Sequence, residues 1–126
     1  FITDSRCKAF GDNLPEVPVY RVSASTPTGG LLTKIKAVFT LAKGTREALM
    51  LLKQHRPKVV VAFGGYPSFP GAMAAILSRT PLVLHDQNAV LGRANRFVAR
   101  FARVIAKSFE EVIGLPKSRK AVVTGN

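Results

Sequence analysis

The stretch Val59–Gly71, read VVVAFGGYPSFPG, limits the possible folds more than any other part of the chain. Val59–Phe63 is an unbroken apolar run rich in β-branched side chains. Such a run suits a strand buried on both faces, as in a parallel sheet. Gly64 and Gly65 then allow a sharp reversal and a close approach of backbone to a ligand. Pro70 fits the first turn of a helix, where a missing N–H costs nothing, and Gly71–Ser78 is predicted to continue that helix. Strand, glycine pair and helix start together aim free N–H groups at an anion such as a phosphate. A glycine pair in this position also serves as a plain tight turn, so the motif does not stand by itself.

The next unit supplies a second signal. Pro81–Leu84 reads as another short buried strand, and its carboxyl end carries His85, Asp86, Gln87 and Asn88. Two neighbouring parallel strands deliver such groups to one sheet edge, where open α/β sheets bind ligands. Gly64, Gly65, Tyr66 and Ser68 then form a candidate diphosphate cradle, with Ser68 adding a hydroxyl or capping the helix. Two readings fit Tyr66: a contact to a sugar, or a loop aromatic packed on the sheet. Asn88 both donates and accepts, which suits sugar hydroxyls.

GGYPSFPG followed by PLVLHDQNAVLGRANR resembles the peptidoglycan glycosyltransferases that convert lipid I to lipid II, the undecaprenyldiphospho-muramoylpentapeptide β-N-acetylglucosaminyltransferases. The resemblance runs from about Arg56 to Asn126, and more loosely back to Phe1. It implies a Rossmann-like, doubly wound parallel α/β sheet, the N-terminal half of a GT-B glycosyltransferase without its first strand and Gly-rich loop. Residues 1–126 are then a partial acceptor-binding domain, and the C-terminal UDP-sugar-binding domain is absent. The implied partners are UDP-N-acetylglucosamine, lipid I and an anionic membrane surface, with no cofactor and no metal. Asn88 is expected to contact the donor sugar. Gly64, Gly65, Tyr66, Ser68, His85, Asp86, Gln87 and Asn95 are expected on the acceptor and its diphosphate. Family members usually carry Glu where this chain has Asp86. The catalytic base is expected ahead of Phe1, so the chain alone is expected to be inactive. The implied location is peripheral, on the cytoplasmic face of the bacterial inner membrane.

The remaining elements follow from pattern. Phe1–Thr3 and Val19–Val22 read as short strands, Asp4–Phe10 as a short helix or loop, and Gly11–Pro18 and Ser23–Gly30 as connections. Leu31–His55 has the longest helical period, with Leu31, Ile35, Val38, Ala42, Leu49 and Leu52 on a stripe expected to pack on the sheet. Gly44 is a candidate break, and Pro57 an end. Beside the stripe, Leu32, Ile35 and Phe39 sit with Lys36 and Lys43. That set reads either as an interfacial helix or as a wide buried face with snorkelling lysines; the resemblance favours the membrane. Gly92–Phe101 is a predicted helix with Phe97 and Phe101 on its apolar face and Arg93, Arg96 and Arg100 on another. Val104–Ala106 and Ala121–Val123 are predicted strands, with a helix over Phe109–Ile113 between them.

Composition narrows the partners. A net charge of +12 favours nucleic acid, anionic lipid or phosphorylated substrates. Basic residues are not interleaved with aromatics and no nucleic-acid motif occurs, which speaks against the first. Another two-domain nucleotide-sugar enzyme, such as an epimerase, shares the architecture and stays open. Cys7 is the single cysteine, so no internal disulfide forms, which suits a reducing compartment. The start at Phe1, already strand-like, leads us to expect a piece of a larger protein whose sheet shows a gap.

Overall fold

A computed structural model describes residues 1–6, 17–117 and 120–125. Cys7 and most of the segment predicted between Asp4 and Pro18 lie outside them, as does Asn126. The described elements are β1 (Ile2–Thr3), β2 (Tyr20–Arg21), α1 (Leu31–His55), β3 (Val60–Ala62), α2 (Gly65–Leu77), β4 (Leu82–Asp86), α3 (Arg93–Val98), β5 (Val104–Lys107) and β6 (Lys120–Val123). Each described strand pair is parallel.

The strands fall into two sheets, β1-β2 and β3-β4-β5-β6. Among the described residues, β1 and β3 each have one unpaired edge. Both edges open on a cavity of about 500 Å³, whose walls include Phe1, Ile2 and Thr3 on one side and Val60, Val61 and Ala62 on the other. This is the gap expected of a sheet lacking a central strand. In the larger sheet the register Val60↔Leu82 and Ala62↔Leu84 puts these four on one face. They meet Ala48, Leu52, Ala72, Ala75 and Val98 in the core. Helix α1 packs against α2, and α2 against α3.

Helix α1 differs from its predicted packing. It runs unbroken through Gly44, and its buried residues are Ala37, Gly44, Ala48 and Leu52. Leu31, Ile35 and Val38, expected on the sheet, are 76%, 45% and 60% exposed. The cause is close approach. A Cβ on Gly44 would lie 1.7 Å from the Ser23 carbonyl oxygen and 3.3 Å from Pro70 Cγ, so the inward face takes only small side chains there. Arg56, at φ 44°, closes the helix with its N–H on the Leu52 carbonyl.

Helix α2 starts at Gly65, six residues before the predicted Gly71. The proline of its first turn is Pro67, while Pro70 lies inside the helix, buried. There it removes the bond its N–H would give to the Tyr66 carbonyl. Strand β4 extends to Asp86, two residues beyond the predicted end. The helix expected over Phe109–Ile113 does not form. Ile113 instead bridges Val90, donating its N–H to Ala89 at 2.9 Å and accepting from Leu91 at 2.9 Å. Pairing with a distant segment thus outcompetes local helical bonds.

Candidate functional site

The carboxyl ends of β3 and β4 bring the two sequence motifs side by side. Gly64 follows β3 at φ 76° and Gly65 follows at φ 73°, two successive backbones that side chains rarely tolerate. A Cβ on Gly64 would fall 2.6 Å from Asn95 Nδ2 and 3.3 Å from the His85 carbonyl oxygen. The turn therefore needs glycine because the β4 end and α3 press against it.

Helix geometry limits the anion cradle. The first N–H groups of a helix are free of intrahelical partners. Here the Gly65 N–H donates to Asn95 Oδ1 at 3.0 Å, and Pro67 has none to offer. Among the described residues the Gly64 and Tyr66 N–H groups remain, with the positive end of the α2 dipole behind them. Ser68 does not cap the helix. Its hydroxyl donates to the carbonyls of Gly64 at 2.7 Å and Gly65 at 3.1 Å.

The four polar residues after Leu84 divide by strand alternation. His85 and Asp86, still in β4, point to opposite faces, and Gln87 and Asn88 form the turn beyond. Asp86 is fully buried and Asn95 is 6% exposed. Asp86 Oδ1 accepts from the Asn88 N–H at 2.8 Å and from Asn88 Nδ2 at 3.3 Å, and Asp86 Oδ2 accepts from Asn95 Nδ2. The resemblance puts both Asp86 and Asn95 on the acceptor; burial and mutual hydrogen bonding turn them inward instead. Gln87 is half-buried and Asn88 exposed at the edge.

His85 stands on the far face of the sheet, its ring 5.6 Å from that of Phe63. Its Nε2 lies 3.3 Å from the Gly125 carbonyl oxygen, while Nδ1 is buried without a hydrogen-bond partner among the described residues. An oxygen facing Nε2 places the proton on that nitrogen. The Ser108 hydroxyl donates to the same Gly125 carbonyl at 3.2 Å. Sequence reasoning misses Ser108 and Gly125. They follow β5 and β6 as Gly64 follows β3, so the same edge rule finds them. The cavity that reaches Gly64 and Ser68 runs along β3 toward β1 and does not include His85–Asn88.

The α1 set lies in the open. Leu32, Ile35 and Phe39 are 83%, 45% and 73% exposed, and Lys36 and Lys43 are exposed beside them. Lys43 Nζ is 3.9 Å from Glu47 Oε1. A groove of about 550 Å³ continues this surface, lined by Val38, Leu41, Phe69, Met73 and Leu77 among others. Phe69, Met73 and Leu77 recur at four-residue spacing, a helical signal that a search centred on α1 passes over. Among the described residues no helix is long and apolar enough to cross a membrane.

A parallel α/β sheet whose carboxyl edge joins a Gly-Gly turn to a polar turn defines a Rossmann-like ligand-binding domain. The chain belongs to glycosyltransferase family 28: the model described as the family's N-terminal domain matches residues 1–107. It is 51% identical over 99% of its length to the UDP-N-acetylglucosamine–N-acetylmuramyl-(pentapeptide) pyrophosphoryl-undecaprenol N-acetylglucosamine transferase of Rhodospirillum centenum. It is 43% identical over 98% of its length to the protein of the same name from Methylorubrum extorquens strain PA1. The chain spans 34% of each of these relatives. The crystal structure of Acinetobacter baumannii MurG matches with a TM-score of 0.69 and 34% identity, over 88% of this chain and 32% of that one. The architecture is thus that of the N-terminal half of a GT-B glycosyltransferase.

Proposed function

We propose that the chain is the acceptor-binding N-terminal domain of an inverting glycosyltransferase acting in peptidoglycan synthesis. The whole enzyme moves N-acetylglucosamine from UDP-N-acetylglucosamine to the C4 hydroxyl of lipid-linked N-acetylmuramic acid, turning lipid I into lipid II. The observation that carries this is the 51% identity, across 99% of the chain, to a transferase of that printed name.

In this reading the C4 oxygen attacks the anomeric carbon, its proton passes to a general base, and the bond to UDP breaks with inversion. The base is supplied from outside residues 1–126. Helix N-termini offset the charge that develops on the departing diphosphate. The Gly64 and Tyr66 N–H groups face the acceptor diphosphate, and Asn88 reaches the donor sugar across the cleft to a second domain. A central strand of the whole protein fills the cavity between β1 and β3. The chain by itself is inactive. The test is transfer by the full-length protein from UDP-N-acetylglucosamine to lipid I: lipid II as product supports the reading, and its absence overturns it.

The exposed α1 surface supports a peripheral seat on the cytoplasmic face of the inner membrane. Leu32, Ile35 and Phe39 enter the acyl boundary while Lys36 and Lys43 meet anionic headgroups. The combined variant Phe39→Asp and Lys36→Glu is expected to weaken binding to anionic liposomes at least about tenfold, since each basic residue near such a surface is worth roughly 1 kcal/mol and a buried aromatic more. Sedimentation with liposomes measures it. Unchanged binding would remove α1 from the membrane.

A further inference from the structure

We propose that Asp86 and Asn95 are positioning residues, forming a buried clamp that locks the Gly64–Gly65 turn to the Gln87–Asn88 turn. That these turns carry a ligand rests on the functional reading above; the clamp itself rests on geometry. The two side chains are 0% and 6% exposed, so neither is free to reach a diphosphate or a sugar. Their polar atoms are occupied by each other and by the two turns.

The arrangement fixes its own orientation. Gly65 presents an N–H, so the Asn95 atom facing it, at 3.0 Å, is the amide oxygen. The Asn95 nitrogen then points at Asp86 Oδ2. The other carboxylate oxygen, Oδ1, holds the Asn88 N–H at 2.8 Å. One continuous path of hydrogen bonds therefore runs from the Gly65 N–H through Asn95 and Asp86 to the Asn88 N–H. Its members come from α2, α3 and β4, three elements that also pack on one another, and the path ties their ends together at this edge. A side chain on Gly64 would strike Asn95 Nδ2 at 2.6 Å, so the clamp also explains the glycine. The clamp sets the spacing between the half-buried Tyr66 on one turn and the exposed Asn88 on the other. Asp86 serves as acceptor on both carboxylate oxygens.

The path has a direction, and that gives a test. In D86N the new amide needs its oxygen for the Asn88 N–H, so its nitrogen faces the Asn95 nitrogen. In N95D a second carboxylate faces Asp86 in a buried place. The double variant D86N/N95D restores every bond: the amide at 86 accepts from Asn88 and donates to the carboxylate at 95, which accepts from Gly65.

The experiment uses the full-length protein. In each single variant the link between positions 86 and 95 is lost, so the two turns are no longer tied to each other. Amide hydrogen exchange at Gly65 and Asn88 is then expected to quicken about tenfold, the scale of one buried hydrogen bond lost. The KM for lipid I is expected to rise about tenfold. In D86N/N95D both quantities are expected to return to within about threefold of wild type. A double variant no better than the worse single one overturns the clamp, as do single variants with unchanged exchange and KM. If the single variants do not fold, the double variant decides: wild-type melting and exchange support the clamp, and an unfolded double overturns it. A wild type that exchanges as expected but transfers nothing overturns the functional reading and leaves the clamp standing.

Discussion

Gly44→Ala is expected to destabilise the protein by about 3 kcal/mol, at the upper end of overpacking costs. In an exposed helix interior the same change stabilises by about 1 kcal/mol, because alanine is the better helix former. Here the added Cβ would stand 1.7 Å from the Ser23 carbonyl oxygen and 2.7 Å from its carbon. Ser23 is held in place from two sides. Its N–H donates to Glu47 Oε2 at 2.7 Å, its hydroxyl faces Glu47 Oε1 at 3.3 Å, and the preceding Val22 donates to Thr3 at 2.8 Å. Making room therefore breaks bonds to buried backbone as well as packing. Denaturant melts of wild type and variant measure the difference. A gain in stability would show that the Ser23 segment yields freely.

Gly64→Ala combines a stability cost with a larger functional one. The backbone at φ 76° and ψ 176° lies in a region essentially confined to glycine and strains any residue with a Cβ by roughly 1–3 kcal/mol. The Cβ also sits 2.6 Å from Asn95 Nδ2, so Asn95 must leave either Asp86 or Gly65. Losing one such buried bond adds about 1–3 kcal/mol. We expect a total of about 3 kcal/mol in melts, and in the full-length protein a KM for lipid I raised roughly tenfold. An unaltered KM would mean that the turn does not face the acceptor.

Much of this site is legible in the amino-acid sequence. The apolar run Val59–Phe63 with its glycine pair, and the run ending at Leu84 with its polar tetrad, mark the right edge of the right sheet. Residue type also singles out Asp86, and the family resemblance Asn95. Their direction is not legible. Strand β4 continues through Asp86, and period-two alternation then sends Asp86 inward and His85 to the opposite face. The start of α2 is hidden because Gly65, Tyr66 and Pro67 are poor helix formers, and the turn is held by Asn95, thirty residues away. The inward face of α1 is hidden for a related reason. A search for large apolar side chains finds Leu31, Ile35 and Val38, whereas close approach selects Ala37, Gly44 and Ala48. Local pattern fixes where elements lie; contacts from distant chain decide which way their residues turn.

If the paired turns after β3 and β4 handle the sugars and diphosphate of a lipid-linked transfer, Asn88 is the side chain whose loss shows it most cleanly. Asn88 is exposed, and Asn88→Ala keeps the backbone N–H that holds Asp86 Oδ1 at 2.8 Å, losing only the longer 3.3 Å side-chain bond to the same oxygen. The measurement is steady-state transfer by the full-length protein, wild type against Asn88→Ala. We expect lipid II from the wild type, and from the variant a KM for UDP-N-acetylglucosamine raised about tenfold, the scale of a lost polar contact to a sugar. Equal kinetics in the two proteins would contradict that role for the turns.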